Sequence, residues 1–208
     1  MSRKDLTNPL RVIEEAPHIE RFHTFPTIGK QNIASHSWGV ALLTHTIYEG
    51  EPPVEAIMYA LCHDIHEIEV GDVPAPTKWK HPALKEQLNK ATDEFERIHN
   101  IQVPEDEEVL CVVDIADKLE GMLNCIREIK LGNMHMILVY TRWRRAVTNK
   151  ETRKLYNSKV CTAIRLKTNG LINEIQDQFV RATWDYPHYK QLIEAQVKSD
   201  GPSLKETE

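Results

Sequence analysis

The sequence predicts an all-α protein, folded as one helical bundle. Apolar residues recur at helical spacing, as Val40, Leu43 and Ile47 do. No segment shows a convincing strand pattern, and no internal repeat or low-complexity block interrupts the chain. Because 208 residues with 41% hydrophobic and 27% charged side chains are ordinary for one domain, we expect a single domain over residues 1–198. The polar residues 199–208 are expected to form a flexible tail.

Proline and glycine positions divide the first half of the chain into elements. The first predicted helix spans His36 to Ile47, with Ser35 available as its N-terminal cap. Pro52-Pro53 begin a second helix, since proline is tolerated in a first turn. The expected inner face of this second helix consists of Ile57, Ala60 and Leu61. The segment from Gly71 to Pro76 cannot continue the helix and is predicted to be a shaped loop.

The second half of the chain continues the helical pattern. A third helix is predicted near residues 81–99, from its repeat of Leu84, Leu88, Ala91, Phe95 and Ile98. A fourth begins after Pro104, where acidic residues favour the positive end of the helix dipole, and it ends near Lys130, before Gly132. Further helices are predicted near residues 134–147, 152–184 and 189–198.

Charge and hydropathy limit the partners of the protein. The net charge of −5 argues against a general nucleic-acid binder. No apolar run approaches the roughly 18 residues of a membrane span, and no signal-like stretch follows the first residues. We therefore expect a cytoplasmic protein with no membrane partner and no nucleic-acid partner. Trp143 with its neighbours Arg142, Arg144 and Arg145 could be a nucleic-acid patch, but a solvated helix face or a subunit contact fits this segment better.

Four residues predict a metal site. The adjacent pair His63-Asp64 ends an apolar helical run. Consecutive helical residues diverge by about 100° and so meet one ion only near a helix end, which the following loop provides. His36, at the start of its helix, and Asp117, which interrupts an apolar stretch, complete the set. A carboxylate turned inward requires a cation or several hydrogen-bond donors, and a cation with open positions activates water.

The order of these residues resembles the H…HD…D pattern of the HD-domain phosphohydrolases, which implies an HD-type helical bundle. The likeness is closer to one branch, the bacterial 5′-deoxynucleotidases and their relatives, and it covers about residues 10 to 135. Four segments carry it: Asn32–Ser37, Leu61–Glu67, Gly71–Lys78 and Ile115–Leu119.

This resemblance implies that His36, His63, Asp64 and Asp117 bind one divalent cation. Two nitrogens and two carboxylates suit Mn, Fe, Co, Ni or Zn, and Mg can join with a triphosphate substrate. Glu67 lies one helical turn after His63 and is the expected acid or base. Asp72 is expected to contact substrate or to support the catalytic site.

The resemblance also implies a substrate site. Arg21 falls where the branch has a phosphate-contacting arginine, and its planar fork suits phosphate. The remaining implied substrate residues are Phe22, His36, Asp72, Val73, Pro74, Ala75 and Lys78. Phe22 stands where the branch commonly has tryptophan, and Ser35 where it commonly has glutamate. These differences bear on sugar and base preference and on the support of His36. His23 and His66 are interpreted as polar neighbours rather than ligands.

The expected function is hydrolysis of a deoxyribonucleoside monophosphate (dNMP) to deoxynucleoside and phosphate. One alternative is a dNTP or dATP triphosphohydrolase, like the short HD enzymes of some phages, with Lys78, Lys80 and Lys85 as candidate contacts to the longer phosphate chain. A second alternative is a nucleotide-sensing protein without turnover, which the intact Glu67 argues against. The family tends to dimerise, so a homodimer or higher homo-oligomer is expected. The apolar residues Met134, Met136, Ile137, Leu138 and Val139 are either a subunit contact or core.

Overall fold

The computed structural model of the chain describes residues 9–148, 159–184 and 186. In these residues the regular structure is helical, with one isolated antiparallel bridge between Glu20 and Asn32, which confirms the all-α prediction. Within the same ranges, no helix combines the length and the apolar character needed to cross a membrane. The chain divides into two compact units, residues 1–117 and 118–208.

The helices of the first unit are short, apart from α2 and α6. Its elements are α1 (Pro9–Glu15), a 3-10 turn (Ala16–His18), α2 (Ile33–Ile47), α3 (Val54–Cys62), α4 (Glu67–Val70), α5 (Ala75–Lys80) and α6 (Pro82–His99). Helix α7 (Glu107–Lys130) begins in the first unit and ends in the second, where α8 (Met136–Thr148) and α9 (Lys159–Thr183) follow. The helix predicted at 189–198, the predicted tail and the first residues of the segment 152–184 lie outside the described residues.

The structure corrects the predicted start of α2. The helix begins at Ile33, and Asn32 rather than Ser35 is its cap. The Ser35 N–H donates to Oδ1 of Asn32 at 2.9 Å, and the Asn32 N–H donates to Oγ of Ser35 at 3.4 Å. Two otherwise unpaired donors are satisfied by this capping box, which fixes the first turn that carries His36.

Two further predictions were wrong in detail. The loop predicted over residues 71–76 ends at Pro74, because α5 begins at Ala75 with a proline in its first turn, where the missing N–H costs no helical hydrogen bond. On α3 the buried residues are Ala56 and Ala60, whereas Leu61 is 36% exposed. These two small side chains leave room for α2, which packs against α3.

The second unit has a core of its own. The rings of Tyr140 in α8 and Phe179 in α9 stack with centroids 3.9 Å apart, and the Tyr140 hydroxyl donates to Oε1 of Gln176 at 3.0 Å. In the segment 134–139 the buried residues are Met136, Ile137 and Val139, while Leu138 is exposed. This segment is therefore mainly core.

Trp143 packs inside the second unit. A Cβ placed on Gly121 of α7 would lie 3.1 Å from the Trp143 ring, and the ring is half-buried. Arg142 and Arg145 are exposed beside it. The indole is thus engaged with α7, which does not favour the nucleic-acid interpretation of this segment.

Candidate metal centre

The two predicted histidine ligands lie on elements that pack together. His36 is fully buried in α2, and His63 follows the last turn of α3. Nδ1 of His63 lies 2.8 Å from the carbonyl oxygen of Ala60, so this nitrogen is the donor of the neutral ring. The hydrogen bond leaves the Nε2 lone pair of His63 for a metal, in the manner of a ligand oriented by a backbone carbonyl. The two imidazole rings have centroids 5.3 Å apart.

Two carboxylates meet these imidazoles. Oδ2 of Asp64 lies 3.5 Å from Nε2 of His36 and 3.4 Å from Nε2 of His63. Oδ1 of Asp117, which arrives from α7, lies 3.2 Å from Nε2 of His36. Ligand atoms of His36, His63 and Asp64 all lie within 4.8 Å of one another. The structure therefore brings the four predicted ligands together.

The donor set fits a divalent cation. Nε2 of His63 is buried and has no hydrogen-bond partner, and such an atom is costly unless something else satisfies it. Two imidazole nitrogens with two carboxylates are a transition-metal set with room for further ligands. The same donors accept Mn, Fe, Co, Ni or Zn, so they do not select one metal.

Neighbouring charges strongly shift the pKa values of Asp64 and His63 in this cluster. Burial alone would raise the pKa of Asp64, but the charges of His63, Arg21 and His36 outweigh it and hold that pKa well below its usual value. Burial would lower the pKa of His63, but Asp64 and Asp117 raise it to about 9. In the protein without a cation, protonated His63 thus supplies part of the positive charge opposite Asp64. A metal ion that bound there would replace this proton.

Arg21 reaches the same carboxylates. Its Nη1 donates to Oδ2 of Asp64 at 2.6 Å, and its Nη2 lies 3.9 Å from Oδ1 of Asp117. The side chain is only 9% exposed. The Arg21 N–H donates to the carbonyl oxygen of Gln31 at 2.8 Å, beside the bridge that joins Glu20 and Asn32. Sequence reasoning missed Gln31, because a contact made through a backbone oxygen leaves no signal in residue type.

Glu67 and Asp72 flank the cluster. Glu67 stands in the first turn of α4, is 4% exposed, and its Oε2 is buried without a hydrogen-bond partner. Burial, together with the charges of Asp64 and Asp72, raises the pKa of Glu67 to about 9. Oδ2 of Asp72 accepts a hydrogen bond of 3.1 Å from the Phe22 N–H. The predicted acid or base therefore lies beside the predicted metal ligands.

The remaining predicted substrate residues surround this group less closely. Lys78, half-buried on α5, is near enough for its charge to lower the pKa of Glu67, against the larger effects of burial and the carboxylates. The Phe22 ring centroid lies 5.9 Å from Cζ of Arg21. Val73 and Pro74 are half-buried and Ala75 is exposed in the turn that leads into α5. Their contacts with substrate stay a prediction.

Comparison with known proteins shows what the chain is similar to. Residues 10–105 match the family described as 5′-deoxynucleotidase YfbR-like. A 5′-deoxynucleotidase of Citrobacter koseri is 24% identical over 160 residues, which cover 66% of this chain and 80% of the relative. The family match ends before Asp117, so the inclusion of that ligand rests on its position beside His36.

Two solved structures share the fold. One is the HD phosphohydrolase DatZ of cyanophage S-2L, bound to dA and one catalytic Zn²⁺ ion, with 24% identity and a TM-score of 0.54 over 81% of this chain and 98% of that one. The other, from Pyrococcus horikoshii OT3, is 19% identical with a TM-score of 0.57 over 81% of this chain and 97% of that one. The resemblance found in the sequence is thereby confirmed: the chain is similar to the YfbR-like 5′-deoxynucleotidases, and this similarity supports a hydrolase.

Proposed function

We propose that the protein hydrolyses a deoxyribonucleoside monophosphate to deoxynucleoside and phosphate, with one divalent cation held by His36, His63, Asp64 and Asp117. The observation that carries the proposal is the meeting of these ligands with Arg21, whose side chain is only 9% exposed, at one point of the first unit. The names of the curated relatives favour a deoxynucleotide as the substrate.

Arg21 supplies the contact to the phosphate. A phosphate dianion needs fixed positive charge, and the guanidinium offers paired donors that match phosphate oxygens. Its neighbouring carboxylates keep Arg21 charged, since they raise its pKa although burial would lower it. The ion pair with Asp64 orients the Arg21 guanidinium. The substrate phosphate therefore binds to a side chain that is already in position.

Glu67 handles the proton of the reaction. Attack by water on phosphorus forms a P–O bond and breaks the bond to the 5′ oxygen, which then needs a proton. Oε2 of Glu67 is buried, has no hydrogen-bond partner and lies on the helix that follows Asp64, so it is the group we assign to orient the water or to protonate the leaving oxygen. A divalent cation, when bound, lowers the pKa of water and offsets charge on the phosphoryl group.

A second candidate is triphosphohydrolysis of a dNTP, such as dATP, in which water attacks the α-phosphorus and triphosphate leaves. The half-buried Lys78 favours it, because its charge reaches Glu67 and can also reach phosphates beyond the first. The likeness in fold to the cyanophage protein, which binds dA, is compatible with this candidate.

Product analysis by ³¹P NMR separates the two reactions. Protein loaded with Mn²⁺, Co²⁺ or Zn²⁺ is incubated with dAMP and, separately, with dATP. Orthophosphate from dAMP with dATP intact is the expected result. Triphosphate from dATP would replace the proposal by the second candidate. No product from any deoxynucleotide, with metal bound, would contradict both and favour a sensing role.

A further inference from the structure

Phe22, next to the phosphate-binding candidate Arg21, has a strained backbone. Its φ is 57°, in the left-handed region that bulky L residues seldom adopt. The residue is neither glycine nor asparagine, so its own preference cannot explain this conformation. Such strain persists only where the surrounding structure imposes it, and it is concentrated at functional sites.

Two hydrogen bonds from outside the turn hold its N–H groups, beside the local bond in which the Phe25 N–H donates to the Phe22 carbonyl oxygen at 2.8 Å. The Arg21 N–H donates to the Gln31 carbonyl at 2.8 Å, and the Phe22 N–H donates to Oδ2 of Asp72 at 3.1 Å. The second bond joins residues 50 positions apart in sequence. Because its acceptor is a carboxylate, it belongs to the stronger class of hydrogen bonds.

The position of Asp72 is itself fixed by the end of α4. Gly71 has a φ of 74°, and its N–H donates to the carbonyl oxygen of Glu67 at 2.7 Å. A left-handed glycine ends a helix without steric cost. The chain therefore leaves α4 in a direction that brings Asp72 to Phe22, while Glu67 stays buried beside Asp64.

We propose that Asp72 is a positioning residue, whose carboxylate holds the strained Arg21–Phe22 turn through the Phe22 N–H and so presents the Arg21 guanidinium to the substrate phosphate. This inference rests on the proposed function, because it gives Arg21 that phosphate as its ligand. Without the anchor, Phe22 relaxes to a negative φ and carries the Arg21 backbone with it. Asp72 thus acts on binding through Arg21.

The turn itself is tested with ¹⁵N-phenylalanine labelling of the full chain. The protein has four phenylalanines, and Phe22→Gly identifies the resonance of interest. In Asp72→Ala we expect an upfield shift of the Phe22 amide proton and a change at Phe25, whose N–H donates to the Phe22 carbonyl oxygen at 2.8 Å, with the amides of Phe95 and Phe179 unmoved. Asp72→Asn, whose side-chain oxygen still accepts a hydrogen bond, should give a smaller shift. A Phe22 amide that Asp72→Ala leaves in place overturns the proposal.

The consequence for binding is tested by calorimetric titration of Zn²⁺-loaded protein with inorganic phosphate. We expect Asp72→Ala and Arg21→Ala each to weaken binding by about tenfold or more, and the double variant to lose no more than Arg21→Ala. Asp72→Asn should stay within about threefold of the wild type. Asp93→Ala, which removes an exposed carboxylate on α6, is the matched control and should change nothing.

Two results would count against the positioning role. Equal loss in Asp72→Asn and Asp72→Ala would mean that an acceptor oxygen at this position is not sufficient, so the hydrogen bond to the Phe22 N–H is not what sets binding. Additive losses in the Asp72→Ala/Arg21→Ala double variant would mean that Asp72 acts independently of Arg21. Wild-type protein that binds no phosphate would instead overturn the proposed function, and the Phe22 amide would still decide whether Asp72 anchors the turn.

Discussion

His63 links the candidate metal centre to pH. Its Nδ1 is held by the Ala60 carbonyl, and its Nε2 points to Asp64, so a metal and a proton compete for the same nitrogen. The carboxylates Asp64 and Asp117 raise the pKa of His63 to about 9, although burial alone would lower it. At neutral pH, therefore, a cation must displace a proton from His63, whereas Asp64 is already ionised.

We predict that metal affinity falls by about tenfold for each unit of pH below the pKa of His63. Since a group with a raised pKa holds its proton below that pKa, the loss grows as the pH decreases and vanishes above it. Competition with a chelator between about pH 6 and pH 8 measures the slope. An affinity that does not change over this range would show that His63 is not a ligand.

Glu67 offers a test of the assigned acid or base. Glu67→Gln keeps the size of the side chain but removes its proton transfer, so kcat should fall by about 10²- to 10⁴-fold with little change in KM. Glu69→Gln is the matched control, because Glu69 lies on the same four-residue helix α4 but is exposed and faces Arg11. Steady-state phosphate release from dAMP measures both. Equal effects of the two substitutions would contradict the assignment.

How much of the site the sequence predicts differs from residue to residue. The pair His63-Asp64 and the inward Asp117 stand out because ionisable residues are unusual in the apolar helical segments where they lie. The resemblance indicated Arg21 as a phosphate contact, but neither it nor the local pattern indicated the 2.6 Å contact with Asp64, 43 residues away. The strained φ of Phe22 and its bond to Asp72 could not be predicted, since both arise from the tertiary arrangement.

At the scale of elements, two helical glycines differ in their surroundings. A Cβ on Gly121 in α7 would meet the Trp143 ring at 3.1 Å, whereas one on Gly170 in α9 would meet nothing within 4 Å. We therefore predict that Gly121→Ala destabilises the protein by about 1–3 kcal/mol through overpacking. Gly170→Ala should stabilise it by about 0.5–1 kcal/mol, because alanine favours the helix.

Urea unfolding of the two variants beside the wild type measures these free energies. Both substitutions improve helix propensity, and the expected changes in the free energy of unfolding have opposite signs. Gly170→Ala is therefore an internal control that measures the effect of helix propensity alone. A stabilised Gly121→Ala variant would mean that the indole moves away without cost, and would contradict the packing of Trp143 on α7.

The helices with clear boundaries were the ones that sequence could predict. Helix α6 begins at Pro82 and ends at His99, before a left-handed Asn100, and α7 ends at Lys130, before Gly132, so both agree with the prediction. Helices α1 and α5 were missed, since seven or six residues carry little periodicity. The exposure of Leu61 was also missed, because α3 buries its small alanines toward α2.

At the scale of the whole molecule, all four predicted metal ligands belong to the first compact unit, residues 1–117. The same unit exposes apolar side chains on several helices, among them Trp38, 63% exposed on α2, and Met58, 53% exposed on α3. Exposed apolar side chains are common at interaction surfaces. These side chains are candidate contacts for the homo-oligomer, which stays a prediction, whereas Met136, Ile137 and Val139 are accounted for as core.

We predict that light scattering coupled to size exclusion gives twice the 24.0 kDa mass of one chain, or a higher multiple. Trp38→Glu should lower that mass toward a single chain, since a buried unpaired charge opposes association. The exposed Leu138 of α8, replaced in the same way, is the comparison. A single-chain mass for the wild type at all concentrations would contradict the expectation.

The central claim is that His36, His63, Asp64 and Asp117 together hold one catalytic cation. The most direct test is the metal content of the purified wild type and of His63→Ala after saturation with Mn²⁺ or Zn²⁺ and removal of excess ion, measured by elemental mass spectrometry. One equivalent of metal per wild-type chain and almost none in His63→Ala is the predicted result. A wild type without bound metal, or an equal content in both proteins, would contradict the account.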